Sequence, residues 1–189
     1  MTRPEAKTEP DPWRVPVMVD HIPETGLHRK IEAGPREREA MAELAGLREI
    51  LSATASFDVT PRSGGRVHVA GRVQARVGQI CVVTLEPIES EIDEEVDLSF
   101  APEAEVRKLA DLVEEGQDPD DDAEVPDPPE AIVNGIIDLG RVATDAVYLA
   151  IDPYPRKPGV VFEAEITAPD PEDHPFAALK ALQDKPKKS

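Results

Sequence analysis

Residues 51–59 read Leu-Ser-Ala-Thr-Ala-Ser-Phe-Asp-Val, residues 66–77 read Arg-Val-His-Val-Ala-Gly-Arg-Val-Gln-Ala-Arg-Val, and residues 88–100 read Ile-Glu-Ser-Glu-Ile-Asp-Glu-Glu-Val-Asp-Leu-Ser-Phe. Apolar or small side chains recur at alternate positions, which is the repeat of a strand with one buried face. They fall on odd numbers in the first two stretches and on even numbers in the third. The loop at residues 61–65, Pro-Arg-Ser-Gly-Gly, reverses the chain. The sequence therefore predicts three successive strands.

The parity of residue numbers shows whether these strands pair with their apolar sides on one face, because residues opposite one another in a hairpin share a face. The first loop pairs odd with odd positions and brings Phe57 near Val69. The second connection pairs odd with even positions and brings Arg76 near Glu89. We therefore predict a three-stranded antiparallel meander. Its outer face is Ser/Thr on the first strand, Arg/His on the second and Glu/Asp on the third.

Shorter elements flank the meander. Extended stretches are predicted at residues 13–19 and 27–32, and a helix begins at Pro35, a residue suited to the first helical position. A second helix runs over residues 139–151 with Asp138 as its N-cap. Further short elements are predicted at residues 132–137, 160–166 and 176–182. The predicted fold class is α+β, an antiparallel meander or partly closed sheet packed with two or three helices.

Composition predicts one domain with flexible ends. We expect a flexible N-terminus at residues 1–12, a single α+β domain at residues 13–167, and a flexible tail with a weak helix at residues 168–189. Inside the domain, residues 114–130 hold nine acidic residues, four prolines and no basic residue. Such a segment buries too little apolar area to offset its ordering entropy. It is therefore predicted to be a disordered loop.

The charge balance favours a protein partner over a nucleic acid. The formal net charge is −18, and an acidic surface repels phosphates, which bind through Lys and Arg. The seven aromatic residues, one Trp, two Tyr and four Phe, are scattered along the chain rather than clustered as a base-stacking platform requires. Direct binding over a broad RNA surface is therefore disfavoured, and a basic protein is the easier partner.

The sequence predicts a soluble protein of the cytoplasm. Its only cysteine is Cys81, so no internal disulfide forms, which fits a reducing compartment. The first residues lead into no apolar run, so no secretory signal is expected. No stretch approaches the roughly 20 apolar residues of a membrane span, so no membrane contact is expected.

No catalytic, cofactor-binding or metal-binding residue is predicted, and no small-molecule substrate is evident. The four histidines share no metal-ligand spacing. His68 falls opposite Asp97 on the charged face, where a surface ion pair is the simpler interpretation than catalysis. No glycine-rich phosphate loop and no nucleophile-elbow serine is present.

Two features allow a chemical as well as a structural interpretation. The acidic stripe at residues 89–97 suits a divalent cation, but the predicted pairing sets Arg72 and Arg76 beside it and favours cross-strand ion pairs. Cys81 is the one reactive side chain, but a nucleophilic cysteine needs a neighbouring base, and the sequence supplies none. We favour structural packing for Cys81.

Residues 81–87 read Cys-Val-Val-Thr-Leu-Glu-Pro and carry a resemblance to a known family. There the chain resembles the bacterial YceD family, the large ribosomal RNA subunit accumulation proteins. That family's motif is Cys-x-x-Cys-Leu-x-Pro between two strands, followed by an acidic strand, a variable acidic loop and an Asp-Leu-Gly-type helix. The counterparts here are residues 89–100, 114–130 and 137–140. Residues 152–159, Asp-Pro-Tyr-Pro-Arg-Lys-Pro-Gly, are similar to the alphaproteobacterial version.

The resemblance spans roughly residues 13–165 and implies a role in synthesis, processing or stability of large-subunit (23S) ribosomal RNA, without enzymatic activity. The family's gene often neighbours that of a small basic large-subunit ribosomal protein. Thr84 stands at the second motif cysteine, so a zinc or redox role of paired cysteines does not extend to this chain. The resemblance marks these residues as family motif or docking residues: Cys81, Leu85, Glu86, Pro87, Asp138, Leu139, Pro153, Tyr154 and Pro155.

Three hypotheses of function follow. The first is a non-enzymatic ribosome-biogenesis factor that acts through a ribosomal or RNA-processing protein, with ribosomal RNA affected indirectly. The second is a direct RNA-binding module that uses basic residues of the second strand and the tail, namely Arg66, Arg72, Arg76, Lys180, Lys185, Lys187 and Lys188. The third is a metal-dependent enzyme.

Overall fold

The computed structural model describes residues 11–114 and 128–161, and only the backbone of residues 110–114. In chain order the elements are β1 (Pro16–Met18), β2 (Leu27–Glu32), α1 (Pro35–Ala45), β3 (Glu49–Pro61), β4 (Val67–Ile80), β5 (Pro87–Pro102), α2 (Glu103–Glu114), β6 (Glu130–Ile132), β7 (Ile136–Asp138) and α3 (Leu139–Ala150). Two compact units divide the chain between Lys157 and Pro158, and all of these elements precede that point.

An open five-stranded mixed sheet forms the body of the fold, with strand order β2-β3-β4-β5-β6. Its first four strands are antiparallel, and β6 joins β5 in parallel. β1 and β7 form a separate two-stranded antiparallel sheet. The predicted α+β class and the central meander are confirmed.

Apolar and polar side chains alternate along the three long strands as the sequence predicts. The pairing between the strands, however, is displaced by two residues from the predicted register. Val59, rather than Phe57, lies opposite Val69, and Phe57 lies opposite Gly71. A Cβ at Gly71 would collide with the Ser56 carbonyl and would lie 2.8 Å from the Phe57 ring. The absence of a side chain at Gly71 is therefore what lets the phenyl ring cross the neighbouring strand.

The second hairpin is displaced in the same way. Arg76 lies opposite Glu91 rather than Glu89, yet its guanidinium still reaches Glu89 diagonally at 3.1 Å. A further correction concerns the start of β3, where the register shifts between Ile50 and Ser52. The extra residue turns Ile50 into the core, at 5% exposure, and leaves Leu51 half-buried.

The hydrophobic core lies on one side of the sheet, under α1 and α3. α1 packs on β3, while α3 contacts β3, β4 and β5. Trp13, Met41 and Phe57 are among its largest fully buried side chains. The Tyr148 hydroxyl donates a hydrogen bond to the Met41 carbonyl at 2.9 Å, which links the two helices. The opposite side of the long strands carries the charged residues.

The start of α3 is fixed by Asp138, as predicted. Its carboxylate accepts hydrogen bonds from the backbone of Gly140 at 3.1 Å and Arg141 at 3.4 Å, which satisfies two free N–H groups of the first turn. The same oxygen accepts the Val15 N–H at 2.7 Å. Gly140 lies against the Trp13 carbonyl, where a Cβ would collide. The first turn of α3 is therefore clamped to the segment that leads into β1.

The remaining predictions have mixed outcomes. The helix from Pro35 and the strand at residues 27–32 are confirmed, and Gly46 ends α1 in the left-handed region at φ 64°. The predicted short element at residues 132–137 consists of β6, β7 and a tight turn. α2 has no counterpart among the predictions, although apolar residues at 106, 109, 110 and 113 have helical spacing.

Several predicted features lie outside the described residues. They are most of the N-terminus at residues 1–12, the acidic loop at 114–130 apart from its ends, nearly all of the strand at 160–166, the helix at 176–182 and the lysine-rich tail.

Candidate docking site at the cysteine turn

The connection between β4 and β5, residues 81–86, is here called the cysteine turn. Its ends are joined by two backbone hydrogen bonds, from Cys81 N–H to the Glu86 carbonyl and from Leu85 N–H to the Cys81 carbonyl, both 2.9 Å. Leu85 adopts a left-handed conformation with φ 57°, which is unfavourable for a bulky side chain. The turn is thus compact but holds one strained backbone position.

A second segment covers the turn. Residues 152–157 follow α3, and the Pro155 carbonyl accepts the Val82 N–H at 2.9 Å. At the end of β4, the buried Gln79 side chain donates to the Asp152 carbonyl at 2.9 Å and accepts from the Ser90 hydroxyl at 3.0 Å. The chain after α3 is therefore held against the β4–β5 hairpin at two points.

The Cys81 thiol is fully buried, with 0% exposure, and its sulfur is surrounded by donors. The backbone N–H groups of Thr84 and Lys157 each lie 3.4 Å from Sγ. The Thr84 hydroxyl, these N–H groups and that of Val83 lower the pKa of Cys81 to about 6, while burial acts in the opposite direction. The thiolate is therefore stabilised in place, as the acceptor at the centre of the turn.

An ion pair closes the outer rim of the turn. The Lys157 ammonium donates to the Glu86 carboxylate at 2.8 Å. This contact lowers the pKa of Glu86 and raises that of Lys157. Because both side chains are about half exposed, the pair orients the two segments more than it stabilises the fold.

The arrangement presents apolar side chains on a rigid base. Leu85 is 75% exposed and Tyr154 is 69% exposed, although both belong to tightly hydrogen-bonded segments. Tyr154 N–H donates to its neighbour Asp152 at 2.8 Å, which fixes the turn on which the ring is mounted. Exposed aromatic and aliphatic residues on pre-ordered backbone are typical anchors of protein interfaces.

The structure brings together two of the three groups of residues marked by the family motif. Cys81, Leu85, Glu86 and Pro87 meet the segment that contains Pro153, Tyr154 and Pro155. Asp138 and Leu139 lie at the opposite end of α3, about 18 Å away along a helix of this length. There Asp138 caps the helix and Leu139 is buried in the core.

Gln79 and Lys157 also belong to this site, although neither was predicted from the sequence. Gln79 falls on the apolar parity of β4, and a lone polar residue in an apolar stripe marks a buried hydrogen bond. Lys157 contributes its backbone N–H to Sγ and its ammonium to Glu86. Only the three-dimensional return of the chain after α3 reveals that role.

On the outer face of β4 and β5 the basic residues are engaged in ion pairs. Arg72 contacts Asp93 at 3.2 Å and Glu95 at 3.1 Å. His68 Nε2 lies 2.9 Å from Asp97, so the predicted pair is made, although diagonally. Arg66 pairs with Glu105 of α2, and Arg76 pairs with Glu89 as described above. The acidic stripe is thus neutralised in part by its neighbouring strand, as predicted.

Within residues 11–114 and 128–161, no cluster of three or more His, Cys, Asp or Glu side chains is arranged to hold a metal ion. None of the helices in the described part of the chain combines the length and the apolar character that crossing a bilayer requires.

Comparison with known families places this geometry in context. The family model described as "Large ribosomal RNA subunit accumulation protein YceD" matches residues 69–183, more than half of the 189-residue chain. The chain belongs to the YceD family. The match begins near the start of β4 and includes the cysteine turn and α3, whereas β1, β2, α1 and β3 precede it. No curated protein and no solved structure matches the chain.

Membership of the YceD family confirms the resemblance carried by residues 81–87 and gives the chain its role at the level of the family name, accumulation of large-subunit ribosomal RNA. In this YceD chain Thr84 stands at the position of the second motif cysteine, and its N–H donates to the Cys81 sulfur at 3.4 Å. Its hydroxyl lowers the pKa of Cys81. The position therefore retains a contact to Cys81 without a second thiol.

Proposed function

We propose that this protein supports accumulation of large-subunit ribosomal RNA as a non-enzymatic cytoplasmic factor that binds a ribosomal or RNA-processing protein. The observation that carries the proposal is the engagement of the basic residues on the outer face. Arg66, Arg72 and Arg76 each have a carboxylate partner. A carboxylate partner offsets the charge of a guanidinium and occupies part of its N–H donors, which weakens its attraction for phosphate, so these arginines are poor RNA ligands.

The overall charge supports the same proposal. A net charge of −18 favours encounter with cationic proteins, because complementary potentials accelerate association and repel unsuitable partners. Ribosomal and RNA-processing proteins carry the basic surfaces that RNA binding requires. An acidic protein that holds such a surface acts on the RNA without a contact of its own.

The cysteine turn supplies a surface for such a partner. Leu85 and Tyr154 offer apolar area on backbone that is already ordered, so little conformational entropy is lost when a partner covers them. Cys81 is buried and accepts the N–H of the exposed Thr84, which helps to hold the turn. In this proposal Leu85 and Tyr154 make the contact, and Cys81 positions them.

The test compares two sets of variants in cells that lack the native gene, with the ratio of large- to small-subunit ribosomal RNA as the measurement. We expect Leu85→Ala combined with Tyr154→Ala to lower the ratio and to reduce recovery of ribosomal or RNA-processing proteins on the tagged protein. Arg72→Gln combined with Arg76→Gln should leave both unchanged. Recovery is measured at low salt after nuclease treatment, so that RNA cannot bridge the partners.

The direct RNA-binding alternative gives the opposite result. In that case the arginine variant lowers the ratio, and large-subunit RNA fragments bind the purified protein at low salt with an affinity that the two substitutions reduce. Failure to recover any ribosomal or RNA-processing protein at low salt would remove the proposal.

A further inference from the structure

A groove runs between β5 and α3, on the inner side of the sheet. Its volume is about 350 Å³. Its apolar lining comes from Val96 and Leu98 of the strand and from Val142, Ala146 and Leu149 of the helix. Leu149 is 88% exposed, the most exposed large apolar side chain of the elements described above. A leucine left in water beside an apolar groove marks a surface suited to a partner.

The groove lies along an open strand edge. β6 pairs with β5 only at residues 100–102. Among the described residues, no strand pairs with the outer edge of β5 from residue 87 to residue 99. Glu130, the first residue of β6, also lines the groove, so the groove starts where the pairing with β6 stops. An extended segment placed there would continue the sheet along β5.

Charge distinguishes this edge from the outer face. In the described part of the chain, the lining includes five carboxylates and no basic residue: Glu94, Glu95, Asp97, Glu130 and Asp145. Glu95 and Asp97 are paired with Arg72 and His68, and Asp145 has a long contact to Arg141 at 3.6 Å. Neither Glu94 nor Glu130 has an ion-pair partner within the described residues. The end of β5 nearest the groove therefore has an excess of negative charge.

Burial makes the charge of two of these carboxylates unfavourable, those of Glu130 and Asp145. Glu94 lies opposite Val73 of β4, on the inner, apolar parity of β5, but its side chain is exposed. Burial raises the pKa of Glu130, while the charge of Arg141 acts in the opposite direction. Burial likewise raises the pKa of Asp145. A cationic group entering the groove would relieve both effects, because it stabilises the ionised carboxylates.

We propose that this groove and the adjoining edge of β5 bind an extended, Lys/Arg-rich segment of a partner protein, which adds to the sheet as a further strand. Strand addition to an open edge supplies backbone hydrogen bonds, and side chains of alternate parity read the two faces. Apolar residues of the segment would face Val142, Ala146 and Leu149, and basic residues would face the acidic stripe of β5. The identity of the partner as a ribosomal or RNA-processing protein rests on the proposed function.

Charge complementarity selects this occupant over two others. A second copy of the chain would bring two acidic β5 edges together, and charges on an edge strand oppose such pairing. The chain's own residues 160–166 carry Glu163 and Glu165, which would meet the same carboxylates. The tail lysines are the remaining internal competitor, and the experiment includes them.

The probe is a synthetic peptide of about ten residues in which Lys and Val alternate, a typical strand length. A peptide of the same composition, with all lysines before all valines, is the control. The full chain is titrated by fluorescence anisotropy and then followed by hydrogen exchange. We expect the alternating peptide to bind more tightly than the block peptide and to increase amide protection in β5 between residues 89 and 98.

Matched substitutions place the contact in the groove. Leu149→Ala should weaken binding about tenfold, the equivalent of one buried leucine side chain. Glu94→Lys should weaken it by at least about tenfold through charge reversal. The controls are Leu44→Ala and Glu43→Lys, which alter an exposed leucine and an exposed glutamate of α1 and should leave binding unchanged.

Three results of the peptide experiment would overturn the inference. The first is equal binding of both peptides, and the second is binding without new protection in β5; each indicates attraction to acidic surface alone. The third is tighter peptide binding after replacement of the tail lysines 180, 185, 187 and 188 by Gln, which would assign the groove to the chain's own tail.

The proposed function can survive such a failure. If Glu94→Lys supports normal ribosomal RNA levels and normal partner recovery in cells, the groove inference fails while the proposed function stands. If the wild-type protein recovers no ribosomal or RNA-processing partner, the proposed function fails, whatever the peptide shows.

Discussion

The cysteine turn and the groove between β5 and α3 both expose leucines, but they differ in how their polar groups are satisfied. At the turn, Cys81, Glu86 and the adjoining Gln79 all have partners within the chain. In the groove, Glu94 and Glu130 have no ion-pair partner among the described residues, and an edge of β5 lies open. The polar groups of the cysteine turn are satisfied within the fold. Among the described residues, the groove has carboxylates and a strand edge without partners, which suit a cationic strand.

Net charge alone therefore does not identify a binding site in this protein. The acidic stripe on the outer face of β5 is the most obvious acidic feature of the described structure. Arg72 and Arg76 nevertheless neutralise much of its charge through ion pairs. The carboxylates at the inner margin of β5 are fewer, but less of their charge is neutralised by ion pairs. The effective charge of a site is set by pairing and burial rather than by the number of acidic residues.

The largest effect is expected where α3 is clamped, because that helix forms one wall of the groove and leads into the segment that covers the cysteine turn. Gly140→Ala places a Cβ against the Trp13 carbonyl and 2.9 Å from the Val15 nitrogen. Since these are backbone atoms, the helix must move. We expect a loss of roughly 3 kcal/mol in the free energy of unfolding, as for overpacked sites, measured by urea denaturation.

Gly34→Ala is the control for this substitution. There the nearest atom to the new Cβ is the flexible Glu37 carboxylate at 3.1 Å, so the loss should stay below about 1 kcal/mol. Equal losses for the two variants would contradict the clamping of α3, and with it the common dependence of the two surfaces on that helix.

A second substitution tests the turn alone. Gln79→Leu places an apolar side chain of similar size at this buried position but leaves the Asp152 carbonyl and the Ser90 hydroxyl without their partner. We expect a loss of roughly 2 kcal/mol in unfolding free energy, since unsatisfied polar groups keep their desolvation cost. Peptide binding in the groove should persist when measured under native conditions.

Gln74→Leu is the matched control, because Gln74 lies on the exposed outer face and makes only a 3.3 Å contact to Asp93. Its effect should stay within about 0.5 kcal/mol, as for most surface substitutions. If Gln79→Leu is equally mild, the segment after α3 is not held by this hydrogen bond.

The meander was predictable because its information is local. Alternation along residues 51–100 fixes which side chains share a face, and parity fixes the pairing of faces. The two-residue register difference depends on Gly71 opposite Phe57, a contact between strands that alternation does not encode. α2 was missed although its helical spacing is present in the sequence.

The candidate site was only half predictable. The family motif marked Cys81 and the Pro153-Tyr154-Pro155 run, but nothing local to either stretch shows that they meet. That contact requires the chain to cross the sheet as α3 and to return, which brings the Lys157 nitrogen to Sγ. The groove is harder still, since its acidic residues come from β5, β6 and α3. Their proximity is a property of topology rather than of any motif.

Relief of the strained backbone at Leu85 in the cysteine turn should change the free energy of unfolding by a smaller amount, and should raise it. Leu85→Gly removes the unfavourable left-handed conformation at φ 57°, and we expect a gain of up to about 1 kcal/mol in unfolding free energy, offset in part by greater freedom of the unfolded chain. Leu85→Ala keeps the strain and should give no gain. Both variants should reduce partner recovery equally if the leucine side chain makes the contact. An equal gain in stability for Leu85→Ala and Leu85→Gly would show that the gain comes from loss of the leucine side chain rather than from relief of backbone strain.

The smallest expected effect on stability at neutral pH concerns Thr84, whose hydroxyl is the main cause of the lowered pKa of Cys81. Thr84→Val removes that donor and keeps the shape, while the two backbone donors remain. We expect the pKa of Cys81 to rise from about 6 towards that of an ordinary thiol. Thiolate absorbance in the ultraviolet reports this directly, since the chain has one cysteine.

Linkage gives the change a sign that stability measurements can check. A pKa lowered in the folded state stabilises the fold above the unfolded pKa of roughly 8.5, and this stabilisation is lost as the pH falls towards 6. The advantage of the wild type over Thr84→Val should therefore grow from pH 6 upward. Cys81→Ser lacks the titrating thiol and should show no such rise. Identical thiol titrations for wild type and Thr84→Val would mean that the hydroxyl does not hold the thiolate, and that the turn is organised by its backbone alone.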